Sequence, residues 1–380
     1  MVISAQGAPP LEDFSNGGWV PHSPGERAIN FISLAINIVN ICGNSFIFYL
    51  FATDRGLREA RTFLILNLAV ADFLWGGSAG FTELWNGIAG GFATGPAGCQ
   101  AVLFLAALGI AVSMQTLMWI SVDRWLHIVH ERPSPSSVIM YIIALVWSVA
   151  ISFATWLMLA SRPAGGAIIA ATHTYCDAPW LIQTPLMKSV AYFTLTCYVF
   201  FLTVMALCYG TIYRKFRRVR ARIARLTVRS LGSATTGSSL SSQWSATFPN
   251  DLGVQRSKED SAVSDVLELG VGRSSQTDRS ERIRRRRERG HLMEQEQQEE
   301  RAVVFKFVTL VAFFSVSWGF WVVGVVAYET FTNKPSPANL TGMGAIMAYT
   351  NSAANPLLFI FLDKRFMSSA KNALGLYQYN

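Results

Sequence analysis

Polar residues that interrupt long apolar runs are the positions in this 380-residue chain with chemistry to do. Asn44 follows Gly43, Asp72 sits in LNLAVADFLW, and Ser113 lies in a third run that closes on Asp123 and Arg124. Trp147 and Trp318 fall in later runs, and Asn351, Ser352 and Asn355 crowd the run that holds Pro356. A charged or polar group among apolar residues is costly in lipid, so it faces other protein and usually serves the function. A lone carboxylate in such a place wants a counter-charge, and a hard cation wants oxygen ligands. The chemistry on offer at Asp72 is therefore the holding of a cation or a hydrogen-bond network around a neutral acid. Zinc chemistry is disfavoured. Zinc wants three or four ligands, and of the five histidines only His127 and His130 are close, where a solvated basic turn explains them.

The elements that must position these residues are membrane spans. Half the chain is apolar and only 15% is charged, against about 25% in a soluble domain. That excludes a disordered protein, a collagen and a small disulfide scaffold, and makes a soluble enzyme a poor reading. Runs of roughly 20 apolar residues can cross a bilayer as helices, and there are seven: Ala28–Phe51, Thr62–Trp85, Ala97–Ile128, Ser137–Ala160, Leu186–Tyr213, Ala302–Tyr328 and Leu340–Leu362. Lys and Arg cluster after spans one, three, five and seven, so the N-terminus is expected outside and the C-terminus in the cytoplasm.

The expected organisation has five parts. Residues 1–27 form a short outer tail without the features of a cleavable signal, and 28–220 carry spans one to five. Residues 221–292 form a Ser-, Gly- and Arg-rich loop expected to be disordered. Residues 293–362 carry spans six and seven, with a helical extension of six (MEQEQQEER), and 363–380 form a tail with a short amphipathic helix. Arg214 to Arg301 holds 19 of the 32 basic and 12 of the 24 acidic residues, so the net charge of +8 belongs almost wholly to that loop. It lacks the base-stacking aromatics of a nucleic-acid surface, so no nucleic acid is expected. Its run Arg284–Arg287 either touches anionic lipid or is a solvated charge run.

The chain resembles the rhodopsin-like (class A) G-protein-coupled receptors. GN in span one, LAVAD in span two, Cys99 atop span three, DRW at its base, Trp147, FSVSW in span six and NPLLF in span seven occur in order. Cys99 to Arg124 is 25 residues and Glu300 to Trp318 is 18, as in that family. The CQ that opens span three and the long polar third loop also resemble cyclic-AMP-receptor-like and fungal nutrient-sensing relatives. The resemblance implies an all-α seven-transmembrane-helix bundle in the plasma membrane that is no enzyme. It would bind a small extracellular ligand and activate a heterotrimeric G protein as span six swings outward. The departures are Trp125 in DRW, Phe359 in NPLLF, and Phe320 where a span-six proline is usual.

The resemblance carries roles residue by residue. Asp72, Ser113, Trp318, Asn351, Ser352 and Asn355 match a sodium pocket that steadies the inactive packing. Arg124, held by Asp123, would pair with Glu300. Breaking a partly desolvated pair leaves a charge alone, so this is a latch; the bland alternative is a surface pair of about 0–1 kcal/mol. Tyr209 and Phe359 belong to the same switch, with Phe359 lacking a hydroxyl. Cys99 and Cys176 both fall outside, where disulfides persist, and would either bond to pin the second outer loop or remain free thiols.

The ligand pocket implied by the resemblance takes Val102, Leu103, Ala106, Ala107 and Ile110 from span three. Trp318, Trp321, Val322 and Val325 come from span six, Ala345, Ala348 and Tyr349 from span seven, and Glu83 is a polar exception in span two. The lining is apolar, so an apolar small ligand is expected, while His173, Tyr175 and Asp177 leave a polar one open. Ala106 stands where amine receptors carry an aspartate, which argues against an amine. Retinal needs a Schiff-base lysine; Tyr349 stands where opsins carry it, so no retinal is expected. Asn339 opens a glycosylation sequon against span seven. The alternative reading is a seven-helix transporter or a membrane sensor that does not couple to G proteins.

Overall fold

The computed structural model describes residues 20–60, 62–170, 174–235, 308–309 and 311–376. It divides into two units, Met1–Lys215 with Val303–Asn380, and Phe216–Ala302. In the second unit the described residues continue one helix from the first; all else below concerns the first unit.

Eight helices make up the described fold: α1 (Pro24–Thr53), α2 (Thr62–Ala89), α3 (Gly95–His130), α4 (Ser136–Ser161) and α5 (Pro185–Thr235), α6 (Val311–Thr332), then α7 (Ala338–Leu362) and α8 (Lys364–Ala373). The first six each contain a stretch long and apolar enough to cross a membrane, and α7 turns through 92° into α8. All seven expected spans fall inside α1 to α7, except the start of the sixth, whose residues before 308 lie outside the described set. Helix α5 runs on past residue 220 to Thr235, into the stretch expected to be disordered. Its Arg-, Ala- and Leu-rich continuation favours helix and holds no Pro or early Gly. The rest of that loop, the extension at 293–301 and the basic run 284–287 lie outside the described residues.

Local sequence starts and seats these helices. Ser23 caps α1, its hydroxyl accepting from the Glu26 amide at 3.3 Å while the Glu26 carboxylate accepts from the Ser23 amide at 2.7 Å, and Pro24 enters at the first turn, where a missing amide costs nothing. In one half of α1 the buried face is polar: Asn30, Ser33, Asn37, Asn40 and Asn44. These amides lie against α2, where Asn40 donates to the Asp72 carbonyl at 3.1 Å and Asn30 to the Glu83 carbonyl at 3.0 Å. Close approach needs glycine. A Cβ on Gly43 would stand 3.1 Å from the Pro356 ring, and one on Gly109 would stand 2.8 Å from the Ala71 carbonyl oxygen. Trp147 donates to Asn67 at 2.8 Å and Asn67 donates to Thr116 at 2.8 Å, tying α4, α2 and α3 together.

Large apolar side chains such as Phe31, Tyr141, Ile151, Val199 and Leu207 remain exposed on α1, α4 and α5. In water such a surface would drive aggregation; in a bilayer it is the lipid-facing side. Two short antiparallel strand pairs complete the unit. β1 (Val20–Pro21) pairs with β2 (Gly91–Phe92), and β3 (Ile168–Ile169) pairs with β4 (Cys176–Asp177). A Cys99–Cys176 disulfide fastens β4 to the first turn of α3, so the bonded alternative is the observed one.

Candidate functional site

A cavity of about 390 Å³ opens among α2 to α7 beneath the β3–β4 hairpin. Its size and apolar lining are those of a small-molecule site. The expected residues Val102, Leu103, Ala106, Ala107, Ile110, Trp318, Trp321, Val322, Ala345, Ala348 and Tyr349 all line it. Glu83 and Val325 do not. Val325 packs into the neighbouring core, and a π-helical turn at Val322–Ala327 sets that register. Glu83 is turned toward α1, where Asn37 donates to its carboxylate at 2.8 Å, and it meets the cavity only through the hydroxyl of Tyr349.

Sequence reasoning missed several lining groups, Trp75 on α2, Phe193 and Phe201 on α5, and Trp180 beside the hairpin, while Tyr175 and Asp177, the outer polar residues that left a polar ligand open, both line it. The aromatic ones form a chain. Trp75 lies 5.1 Å from Tyr349 and 5.4 Å from Trp318, Trp318 lies 6.1 Å from Trp321, and Trp321 lies 5.8 Å from Trp180, measured between ring centroids. Such spacings suit edge-to-face and offset contacts. The indole N–H of Trp318, at the cavity floor, has no hydrogen-bond partner.

Among the described residues Asp177 is the one carboxylate in the lining, and none of the Lys, Arg or His residues lines the cavity. Its Oδ1 accepts from the Ala178 amide at 2.7 Å and the Trp180 indole at 3.2 Å. Burial pushes its pKa up from the usual carboxylate range to about 7, with the Glu329 charge adding to the rise and the hydrogen bonds opposing it.

One turn along α2 from Trp75 lies Asp72, fully buried. Ser113 donates to its Oδ1 at 3.1 Å, Ser352 to the same oxygen at 2.9 Å, and Asn355 to its Oδ2 at 2.7 Å. These bonds join α2, α3 and α7 around one acid. Trp318 and Asn351 make no hydrogen bond to it, and both side-chain polar atoms of Asn351 are unpartnered. At the far end of the bundle Asp123 and Arg124 are buried, Phe359 is in the core, and Tyr209 lies beside Ser121 and Arg124. Glu300 lies outside the described residues. A different link is present there: the Lys215 ammonium donates to the Ile128 carbonyl at 2.8 Å and to Glu131 at 2.7 Å. Asn339 is exposed in the first turn of α7.

Known proteins resemble this arrangement. The model of the seven-transmembrane receptor (rhodopsin) family matches residues 43–359. Melanopsin-B of Gadus morhua is 32% identical over 52% of this chain and 32% of its own length. Melanopsin of Felis catus is 30% identical over 49% of this chain and 39% of its own, and opsin-2 of Manduca sexta is 27% identical over 59% and 60%. The matches thus span about a third to three-fifths of these relatives. The crystal structure of squid rhodopsin superposes with a TM-score of 0.65 at 15% identity, over 95% of this chain and 90% of its own, a likeness of fold.

The expectation of no retinal is overturned by these relatives, which are melanopsins and opsins, users of a retinal chromophore. How that group fits this chain divides in two. The apolar, aromatic cavity suits a polyene. The Schiff-base link does not fit, because no lysine among the described residues lines the cavity, so no step below runs through it. A helical bundle with the family's sequence pattern, and a family match across most of the chain, lead to one assignment: the chain belongs to the rhodopsin family of seven-transmembrane receptors.

Proposed function

We propose that the chain is a plasma-membrane receptor, with its N-terminus outside, that binds a small, largely apolar ligand in the cavity and activates a heterotrimeric G protein. The observation that carries this reading is the tilted ring contact of Trp75 and Trp318 at 5.4 Å, with Trp318 at the cavity floor and Trp75 one turn of α2 from Asp72. A ligand that presses on Trp318 acts on α6, and through Trp75 on the packing around Asp72.

The mechanism is a shift between two packings, set by the ligand's preference for one of them. In the resting state Asp72, with Ser113, Ser352 and Asn355 around it, would hold a sodium ion whose charge would steady the packing of α2, α3 and α7. Arg124 would be held by Asp123 and would pair with Glu300. The π-helical turn at Val322–Ala327 marks where α6 departs from regular winding, in place of the usual proline kink, and is where α6 would flex. Outward movement of α6 loosens the packing around Asp72 and opens a cleft near Arg124, Tyr209 and the basic end of α5, where the tail of a Gα subunit docks.

The test is nucleotide exchange on a panel of Gα subunits in membranes, with wild type and Arg124→Ala. Exchange on at least one subunit that disappears with Arg124→Ala supports the reading. No exchange on any subunit, with folded receptor at the surface, overturns it.

A further inference from the structure

Asp177 is a buried carboxylate that faces open space, and no basic residue among the described ones pairs with it. Its position is not an accident of a loose loop. The disulfide at Cys176 fixes the preceding residue against α3, β4 pairs with β3, and two neutral donors hold one carboxylate oxygen. Among the described residues, the charge around it has one sign. Glu329 raises the potential energy of its charged form, and Tyr175 and Tyr349 feel its charge in turn. At the floor, the unpartnered Trp318 indole is a second buried polar group whose only open side is the same cavity.

An acid so placed is costly to ionise alone. An ammonium group in the cavity would remove that cost. A carboxylate there would meet a like charge. Ala106 removes an acid from α3, but β4 brings one to the same cavity from another side, so the case against an amine fails.

We propose that the cavity selects ligands with an apolar body and a protonated amine head that pairs with Asp177, and rejects those with a carboxylate head. This rests on the reading of the cavity as the ligand site. Burial that holds Asp177 protonated to about pH 7 adds a signature: amine affinity rises as pH passes upward through that value, while a neutral head feels no change. The other acids near this end, Glu329 and Glu83, each have their own donors in Ser336 and Asn37.

Three retinoids that share one polyene and differ in head group test the proposal: retinylamine, retinol and retinoic acid. Each is titrated into full-length receptor in phosphatidylcholine nanodiscs above pH 7, and read by quenching of the cavity tryptophans. The amine should bind about tenfold or more tighter than the acid, as a charge-assisted bond allows, with the alcohol between them. Asp177→Asn should abolish the amine's advantage and leave the alcohol unchanged. An acid that binds wild type as tightly as the amine overturns the proposal, as does an amine preference that survives in Asp177→Asn. Quenching by none of the three overturns the ligand-site reading itself, which separates the two failures. The wild-type series decides the matter even if the variant does not fold.

Discussion

Asp72 and Asp177 are both carboxylates buried in the bundle with no basic partner among the described residues, yet their surroundings differ in kind. Asp72 receives three side-chain donors from α3 and α7 within 3.1 Å and lies outside the cavity lining. Asp177 receives two neutral donors on one oxygen and lines a cavity of about 390 Å³. A carboxylate that donors enclose on every side has room for a small ion and nothing larger. One that donors hold from one side only is set to receive the polar end of a larger molecule. Enclosure, rather than acidity, divides the two roles. Glu83 falls between them: Asn37 and Tyr349 hold it behind the cavity wall, so the residue expected to bring charge to the ligand instead joins α1 to α2.

The largest expected effect comes from breaking what places Asp177. Cys99→Ser frees β4 from α3, and loss of a disulfide in such a context costs about 2–5 kcal/mol. Thermal unfolding should drop by several degrees, and all three retinoids should lose affinity together; retained affinity would mean that the hairpin holds Asp177 without the disulfide. Next is Gly109→Ala, where a Cβ would come within 2.8 Å of the Ala71 carbonyl oxygen and 2.9 Å of Trp75. Overpacking of this sort costs about 1–3 kcal/mol, and because it shifts Trp75 it should weaken ligand binding while leaving head-group preference intact. A variant as stable as wild type would contradict the α2–α3 spacing.

Asp177→Asn sharpens the comparison through pH. The folded protein holds the Asp177 proton to about pH 7, whereas the unfolded chain releases it near 3.8. Folding is therefore most favoured by this group below 3.8, and that stability is lost as pH rises toward 7. The variant should flatten the decline, which unfolding followed from pH 4 to 8 would reveal. Smallest is Arg365→Ala. Arg365 donates to Glu59 at 2.6 Å and to Asp363 at 3.0 Å, but about a third of its side chain is exposed. A change below about 1 kcal/mol is expected; a larger one would make the join between α8 and the turn after α1 a structural keystone.

Much of this was legible in the sequence. Long apolar runs with polar interruptions placed α1 to α7, and the resemblance to the receptor family pointed to Asp72, Ser113, Ser352 and Asn355 around the enclosed acid. Cavity residues on α3 and α7 came from the same resemblance. The misses have physical causes. Val325 leaves the lining because a π-helical turn shifts the register of α6. Trp75 enters because Gly109 brings α3 close to α2 at that point, a tertiary fact with no local signature. Asp177 was legible as a polar outer residue, but its place in the lining depends on the Cys176 bond that fixes the strand. The helix beyond residue 220 was hidden because charge density reads as solvated loop, although Arg and Ala are good helix formers.

The comparison stands or falls on nucleotide exchange measured against sodium and against retinylamine in wild type, Asp72→Asn and Asp177→Asn. The two acids should separate: sodium should lower exchange in wild type and Asp177→Asn but not in Asp72→Asn, while the amine should lose potency only in Asp177→Asn. Sodium sensitivity that survives in Asp72→Asn, or an amine response indifferent to Asp177, would contradict the division of labour between the enclosed acid and the open one.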